Sequence, residues 1–289
     1  MTYAAICFLS SAMAASADHE TLNEIYRTAR NQGVVVGAKE KATLPAPTLP
    51  DGLDAKGQRA ALIELVGLES QIPVFTRDSI VAPHKSRIIE VKGSDPNAPA
   101  YHIDFWFVAY GDLGDILKPD VQRQLLQGNA ADRKVTFLTA DDLAQRGIPD
   151  KSKAPQPERY SHTETNLINK VQLRTTHRTI VSKTDDSIIL ASELDPRFAQ
   201  DQDYPIQWQP INNAGQLGKP QPYLGSGSYI KITRLAEPKG ALLIESHSVY
   251  VEPKEWFDGK NLLRPKIASA IQNEVRDIRR TLLKLRAEQ

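Results

Sequence analysis

The feature that most constrains the fold is a long amphipathic pattern near the end of the chain. From about residue 262 to residue 286, apolar side chains recur at intervals of three and four, which is the spacing of one helix face. The members of this stripe are Ile267, Ile271, Val275, Ile278, Leu282 and Leu285. The same spacing puts Arg276, Arg279 and Arg280 on the opposite side. Such a helix is about 35 Å long and requires an apolar surface of similar length, which an antiparallel sheet provides.

Several earlier segments show the alternation of apolar and polar residues that is typical of strands. Residues 101–110 give the strongest signal, residues 167–182 alternate in the same way, and residues 187–194 follow a short turn as a hairpin partner. Two further strands are predicted at 228–235 and 241–252. Because these strands are joined by tight turns rather than by helices, the pattern predicts an α+β fold. Its antiparallel sheet packs on the long C-terminal helix, and short helices come before the sheet.

The order of these elements resembles that of the START-like superfamily. The segments that carry the resemblance are 101–110, 167–194, 228–252 and 262–286. In the helix-grip fold of that superfamily, a curved antiparallel sheet wraps a long C-terminal helix. The resemblance therefore implies a helix-grip-like arrangement over roughly the last two thirds of this chain.

The N-terminal residues indicate export. Residues 1–17 contain no charged side chain and end in small residues, so they are typical of a signal peptide. Cys7, the only cysteine, lies within this segment. Cleavage before Ala15 or Asp18 would leave a mature chain without a cysteine, which excludes a disulfide within the chain and a thiolate nucleophile. We therefore predict a secreted or periplasmic protein, with no transmembrane segment in the mature chain.

The remaining chain divides into two predicted parts. Residues 18–58 contain a short amphipathic helix followed by a linker with Pro45, Pro47 and Pro50. Residues 59–289 form a single α+β domain that holds the sheet and the closing helix.

A curved sheet over an amphipathic helix can enclose an apolar cavity. The candidate lining residues are Phe105, Phe107, Tyr229, Ile230, Ile278 and Leu282. The alternative interpretation is a solid core in which these side chains fill the space. On the first interpretation, the protein is an exported, non-catalytic binding protein for an apolar or amphipathic small molecule.

Two strand segments carry residue types that bind metals. His102 and Asp104 share a face of one predicted strand, and Glu245 and His247 share a face of another. If the two strands were neighbours, they would offer two imidazoles and two carboxylates to zinc or to acid–base chemistry. The second hypothesis is therefore an exported metal-assisted hydrolase. The alternative is that these polar side chains simply lie on solvent-facing strands. His162 and His177 lack ligand spacing and carry no prediction.

Charge and motifs narrow the remaining function classes. Lys and Arg exceed Asp and Glu by one residue, so the whole chain exerts no long-range attraction on nucleic acid. The basic side chains of residues 264–286 could still face an anionic surface. This third hypothesis describes a structural or envelope-associated interaction protein. The sequence contains no dinucleotide fingerprint, phosphate loop or nucleophile elbow, so we predict no cofactor, and the partner stays unknown.

Overall fold

A computed structural model describes residues 18–37, 39–119, 121–122, 133–257, 260 and 262–288. Within these residues, the chain is an α+β protein with a large antiparallel sheet, a long C-terminal helix and short N-terminal helices. The helices are α1 His19–Leu22, α2 Glu24–Asn31, α3 Ala55–Val66, α4 Ile72–Phe75, α5 Leu113–Ile116, α6 Ala140–Ala144 and α7 Arg264–Ala287. The predicted fold class is confirmed. The predicted signal peptide, residues 1–17, lies outside the described residues.

The strands form one small ribbon and one large sheet. The ribbon pairs β1 Val34–Val35 with β2 Lys41–Ala42. The strands of the sheet are β3 His84–Glu90, β4 Ala100–Tyr110, β5 Arg133–Phe137, β6 Glu158–Leu167, β7 Val171–Lys183, β8 Ser187–Leu194, β9 Gln207–Pro210, β10 Gln221–Pro222, β11 Ser226–Arg234 and β12 Ala241–Val251. Eight of them lie in the order β10-β9-β7-β8-β11-β12-β4-β3, and β6 pairs with both β5 and β7.

Two elements that were predicted to be continuous are each interrupted in the structure. The alternation predicted over 167–182 is interrupted because Ile168 and Asn169 have positive φ angles and form the turn between β6 and β7. The N-terminal helix is likewise two helices, since Asn23 ends α1 and its side chain caps α2 by accepting a hydrogen bond from the Tyr26 amide.

The closing helix buries its predicted stripe against one face of the sheet, which we call the helix face. Ile271, Val275 and Leu282 are buried in a cluster with Phe107 of β4. The helix lies closest to β3 and β4, at one side of the sheet. The central strands β8 and β11 therefore present their helix-face residues at a greater distance from α7. The packing of a long C-terminal helix on an antiparallel sheet is the arrangement that the sequence predicted.

The helical spacing had predicted that Arg279 lies on the solvent side of α7, but the structure places its side chain in the interior. Its side chain is 5% exposed and donates to backbone carbonyl groups of β4 and of the segment before β3. A long side chain on the border of the buried stripe can turn inward when carbonyl acceptors lie within reach. Burial lowers the pKa of Arg279 to about 10.

The proline-rich segment crosses the opposite face of the sheet, which we call the strap face. We call residues 43–51 of this segment the strap. Within the strap, Leu44 and Leu49 are buried. Tyr229 donates to the Pro45 carbonyl, and Lys231 donates to the Leu49 carbonyl, each at 2.7 Å. The segment predicted as a linker is therefore packed on the sheet of residues 59–289.

Candidate functional site

The helix face of the sheet changes character along the strands. At one end, register brings together apolar side chains such as Ile188, Ile232 and Phe107. Four residues further along each strand, beyond a row that contains Leu190, Ile230 and Phe105, the helix face becomes polar. One row runs across β7, β8, β11 and β12 and consists of Thr179, Ser192, Ser228 and Ser248, which we call the hydroxyl row. The Thr179 and Ser192 hydroxyl groups are hydrogen bonded at 2.8 Å.

The hydroxyl row keeps accessible surface although it crosses the middle of the sheet. Ser192, Ser228 and Ser248 are each only partly buried, and their strands have neighbours on both sides. The strap covers the opposite face, and α7 packs closest to β3 and β4. The register places these serines on the helix face of the sheet, the face on which α7 packs.

His177 and Ser226 lie beyond the hydroxyl row. The His177 Nε2 atom is 3.0 Å from the Ser226 hydroxyl group. His177 keeps part of its surface accessible, yet burial alone lowers its pKa to about 4. Both observations fit a side chain that borders an enclosed space, where surface is exposed but bulk water is distant. Sequence analysis had left His177 without a prediction, because the register that aligns it with the polar rows is not visible in a linear pattern.

Carboxyl groups also border this polar end. Tyr250 lies opposite Tyr101 and donates from its hydroxyl group to Glu252 at 3.2 Å. Burial raises the pKa of Glu252. Glu274 projects from α7; burial raises its pKa, and the nearby Arg133 partly opposes that shift.

The six predicted lining residues divide between the two faces. Phe105, Phe107 and Leu282 are buried in the helix-face cluster, whereas Ile230 and Ile278 pack against it and stay partly exposed. The prediction for Tyr229 requires correction, because neighbouring strand residues point to opposite faces. Tyr229 lies on the strap face, where its ring centroid is 4.8 Å from that of His247.

The four predicted metal ligands lie on adjacent strands, as the metal hypothesis required. Asp104 of β4 pairs with His247 of β12, and the Asp104 Oδ1 atom is 2.8 Å from the His247 Nδ1 atom. The Glu245 Oε2 atom is 3.3 Å from the other ring nitrogen. Burial lowers the pKa of His247, but the hydrogen bonds to the two carboxylates outweigh this effect and raise it. Arg87 completes the network by donating to Asp104.

The network engages three of the four predicted ligands, Asp104, His247 and Glu245, with partners within the protein. Both ring nitrogens of His247 are engaged by carboxylates, and Glu245 also accepts the Thr48 amide of the strap at 2.7 Å. His102 lies at the next position on the same face, but its Nδ1 atom has no partner. Within the described part of the chain, no group of three or more His, Cys, Asp and Glu side chains is arranged to hold a metal ion. The geometry is that of a buried ion network, which fixes the strap to the sheet.

Comparisons with known proteins add structural likenesses of low score. No family model matches the chain, and no curated protein matches it. The human StarD13 (DLC2) lipid transfer and protein localization domain is 11% identical, with a TM-score of 0.37, over 68% of this chain and 90% of that one. Human STARD10 is 10% identical, with a TM-score of 0.33, over 84% of this chain and 83% of that one. A putative uncharacterized protein from Rhizobium leguminosarum is 11% identical, with a TM-score of 0.35, over 65% and 98%. Scores this low carry no argument, and the description of the fold rests on the topology given above.

A search of the described helices for a membrane-spanning segment gives a negative result. None combines the length and the apolar character that crossing a bilayer requires.

Proposed function

We propose that this protein binds an apolar or amphipathic small molecule between the helix face of the sheet and α7. The observation that carries the proposal is the hydroxyl row, whose serines stay partly accessible although they lie on central strands of the sheet. Buried polar groups require partners, and a bound ligand or water in this space would supply them. Small-molecule sites typically combine an apolar lining with a few placed polar groups.

The apolar part of the proposed site borders the hydroxyl row. Ile230 of β11 is the next helix-face residue after Ser228, and Ile278 lies on the partly exposed border of the α7 stripe. Phe105 and Leu282 are buried behind them. A ligand in this position would contact carbon on one side and hydroxyl groups on the other.

A binding role agrees better with the chemistry of His177 than a catalytic role does. A serine hydroxyl group 3.0 Å from an imidazole nitrogen is the geometry of a nucleophile and its base. However, a general base is most effective when its pKa lies near the working pH. The pKa of His177 is lowered to about 4, so its neutral ring is a weak base. We therefore propose a non-catalytic protein.

The binding proposal is tested by identifying small molecules that copurify with the native protein and by measuring the uptake of an apolar dye. Protein purified without detergent is extracted and analysed by mass spectrometry, and uptake of the uncharged apolar dye Nile red is measured by fluorescence. We expect a copurified small molecule or saturable dye uptake, and a higher melting temperature when the site is filled.

A matched pair of variants locates the site. Ile230→Trp fills the proposed space and should abolish uptake in folded protein. The same substitution at Ile89, which is 43% exposed on the edge strand β3, should leave uptake unchanged. If folded wild-type protein neither carries a small molecule nor takes up the dye, the binding proposal is refuted, and an interaction role becomes the better hypothesis.

We also propose that the protein is exported, with residues 1–17 removed. The composition of this segment, which has no charged side chain and ends in small residues, supports the proposal. Asp18 is exposed and caps α1, while His19 is buried with its ring nitrogens 2.8 Å from the Ser182 and Ser187 hydroxyl groups. Cleavage before Asp18 would leave these contacts in place. N-terminal sequencing of protein from the producing cell should begin at Ala15 or Asp18, and an intact Met1 on cytoplasmic protein would refute export.

A further inference from the structure

The proposed site is polar near the start of α7 and apolar near its end. The helix begins near the polar end of the sheet, where the Arg264 guanidinium lies 5.9 Å from the Tyr101 ring centroid. It ends near the apolar end, where Leu282 lies against Gly111 and the Arg286 guanidinium is 5.8 Å from the Tyr110 ring centroid. An elongated ligand that lies along the helix would therefore meet hydroxyl groups at one end and carbon at the other.

The groups at the polar end are mostly uncharged. The hydroxyl row places alcohol groups on four adjacent strands, and Ser226 adds another beside His177. Thr179 and Ser192 bond to each other, and Ser248 donates to the Ile103 carbonyl, so each of these three keeps only part of its capacity for a ligand, while Ser228 is the central alcohol of the row. His177 is neutral at neutral pH because its pKa is lowered to about 4. Each alcohol can both donate and accept a hydrogen bond, so together they match a head group that does both.

The charged or titratable groups near this end do not form an anion site. Glu252 and Glu274 would repel an anion when ionised, and burial raises the pKa of both. Arg133 interacts with Glu274, and Arg264 donates to the Ile88 carbonyl at 3.1 Å, so both cations already have partners. These carboxyl groups do not form a cation site either, because both already have partners. Tyr250 donates to Glu252, and Arg133 interacts with Glu274.

We propose that the site selects an amphiphile with an uncharged, hydroxyl-bearing head group, held at the hydroxyl row with its apolar part against Ile230 and Ile278. This inference rests on the proposed binding function and adds the ligand class and its orientation. A charged head group would lose its hydration in this space without gaining a free counter-charge, which is costly. An uncharged head group would exchange water for the alcohols at little cost.

Three amphiphiles with the same oleoyl chain test the ligand class. Monooleoylglycerol is uncharged, oleoyl-lysophosphatidate is anionic, and oleoyl-lysophosphatidylcholine carries a quaternary ammonium group with its phosphate. Each is titrated, below its critical micelle concentration, into full-length mature protein loaded with Nile red, and displacement gives the dissociation constant. We expect monooleoylglycerol to bind at least about tenfold more tightly than either charged amphiphile.

Variants then test the position of the head group. Ser228→Ala should reduce the preference for monooleoylglycerol several-fold, since a hydrogen bond contributes about 0.5–1.5 kcal/mol. Ser152→Ala, the same substitution at an exposed loop position, should leave the preference unchanged. Circular dichroism and the melting temperature confirm that both variants are folded.

The outcomes separate the two proposals. Failure of the protein to bind Nile red or any of the amphiphiles refutes the binding function itself. Binding in which either charged amphiphile equals or exceeds monooleoylglycerol leaves the binding function intact and refutes the head-group inference. An unchanged preference in Ser228→Ala refutes the placement of the head group at the hydroxyl row.

Discussion

Replacement of Arg279 by methionine tests whether α7 is held by a buried cation that donates to backbone carbonyl groups. The guanidinium donates to four backbone carbonyl groups: Val108 at 2.9 Å, Ala82 at 2.5 Å, Pro83 at 3.0 Å and Ile80 at 3.2 Å. Its carbon also lies 5.5 Å from the Phe107 ring centroid. One side chain thus connects the helix, β4 and the segment before β3.

The expected magnitude follows from two opposing contributions. A hydrogen bond from a charged donor contributes about 1.5–3 kcal/mol, so four of them stabilise the fold by about 6 kcal/mol at the low end of that range. Burial of the charge opposes this, because a pKa lowered to about 10 corresponds to a cost of about 3 kcal/mol. We therefore expect Arg279→Met to lower the free energy of unfolding by about 3 kcal/mol. The loss should be larger if water does not reach the four carbonyl groups that lose their donor.

Urea denaturation followed by circular dichroism measures this change. Arg280→Met is the matched control, because Arg280 is exposed and its ion pair is with Asp277 of the same helix. It should change the free energy of unfolding by less than about 0.5 kcal/mol. Arg279→Lys, which keeps the charge but loses donors, should fall between them. Equal effects of the two methionine variants would refute the assignment of Arg279 as a buried anchor.

Two other predictions concern stability. Ile271→Asp places a carboxylate in the helix-face cluster and should cost several kcal/mol, whereas Arg276→Ala should be nearly neutral; equal shifts in melting temperature would mean that the wrong face is buried. The pKa values of His19, His162 and His177 are each lowered to about 4 by burial. These rings fold in the neutral form, so the stability they contribute is present above about pH 6.5 and is lost as the pH falls towards 4. Urea titrations at a series of pH values should show this loss, with a smaller slope in His177→Gln, and a flat profile would contradict it.

The elements that sequence patterns predicted best are those whose two faces differ in polarity. β4 and α7 were located within a few residues, because each has a core face and a contrasting face. β6 was not among the predicted strands. Its helix-face residues are polar, among them Ser161 and Thr163, which pair with His177 and Thr175 of β7. Since both faces of this strand carry polar groups, hydrophobic alternation is absent, and the missing pattern coincides with the polar end of the proposed site.

The strap shows a second limit of local patterns and links the two faces of the sheet. Three prolines and no alternation suggested a linker, but Tyr229, Lys231 and Glu245 bind its backbone from 182 to 197 residues away along the chain. Glu245 had suggested a metal site, yet its carboxylate accepts a strap amide and contacts His247. On the strap face, Asp104, His247 and Glu245 therefore each have a partner within the protein, and these contacts stabilise the fold. On the helix face, the hydroxyl row is uncharged and stays partly accessible. The same sheet thus separates structural polarity from polarity that is available to a ligand, and this difference favours the helix face as the functional one.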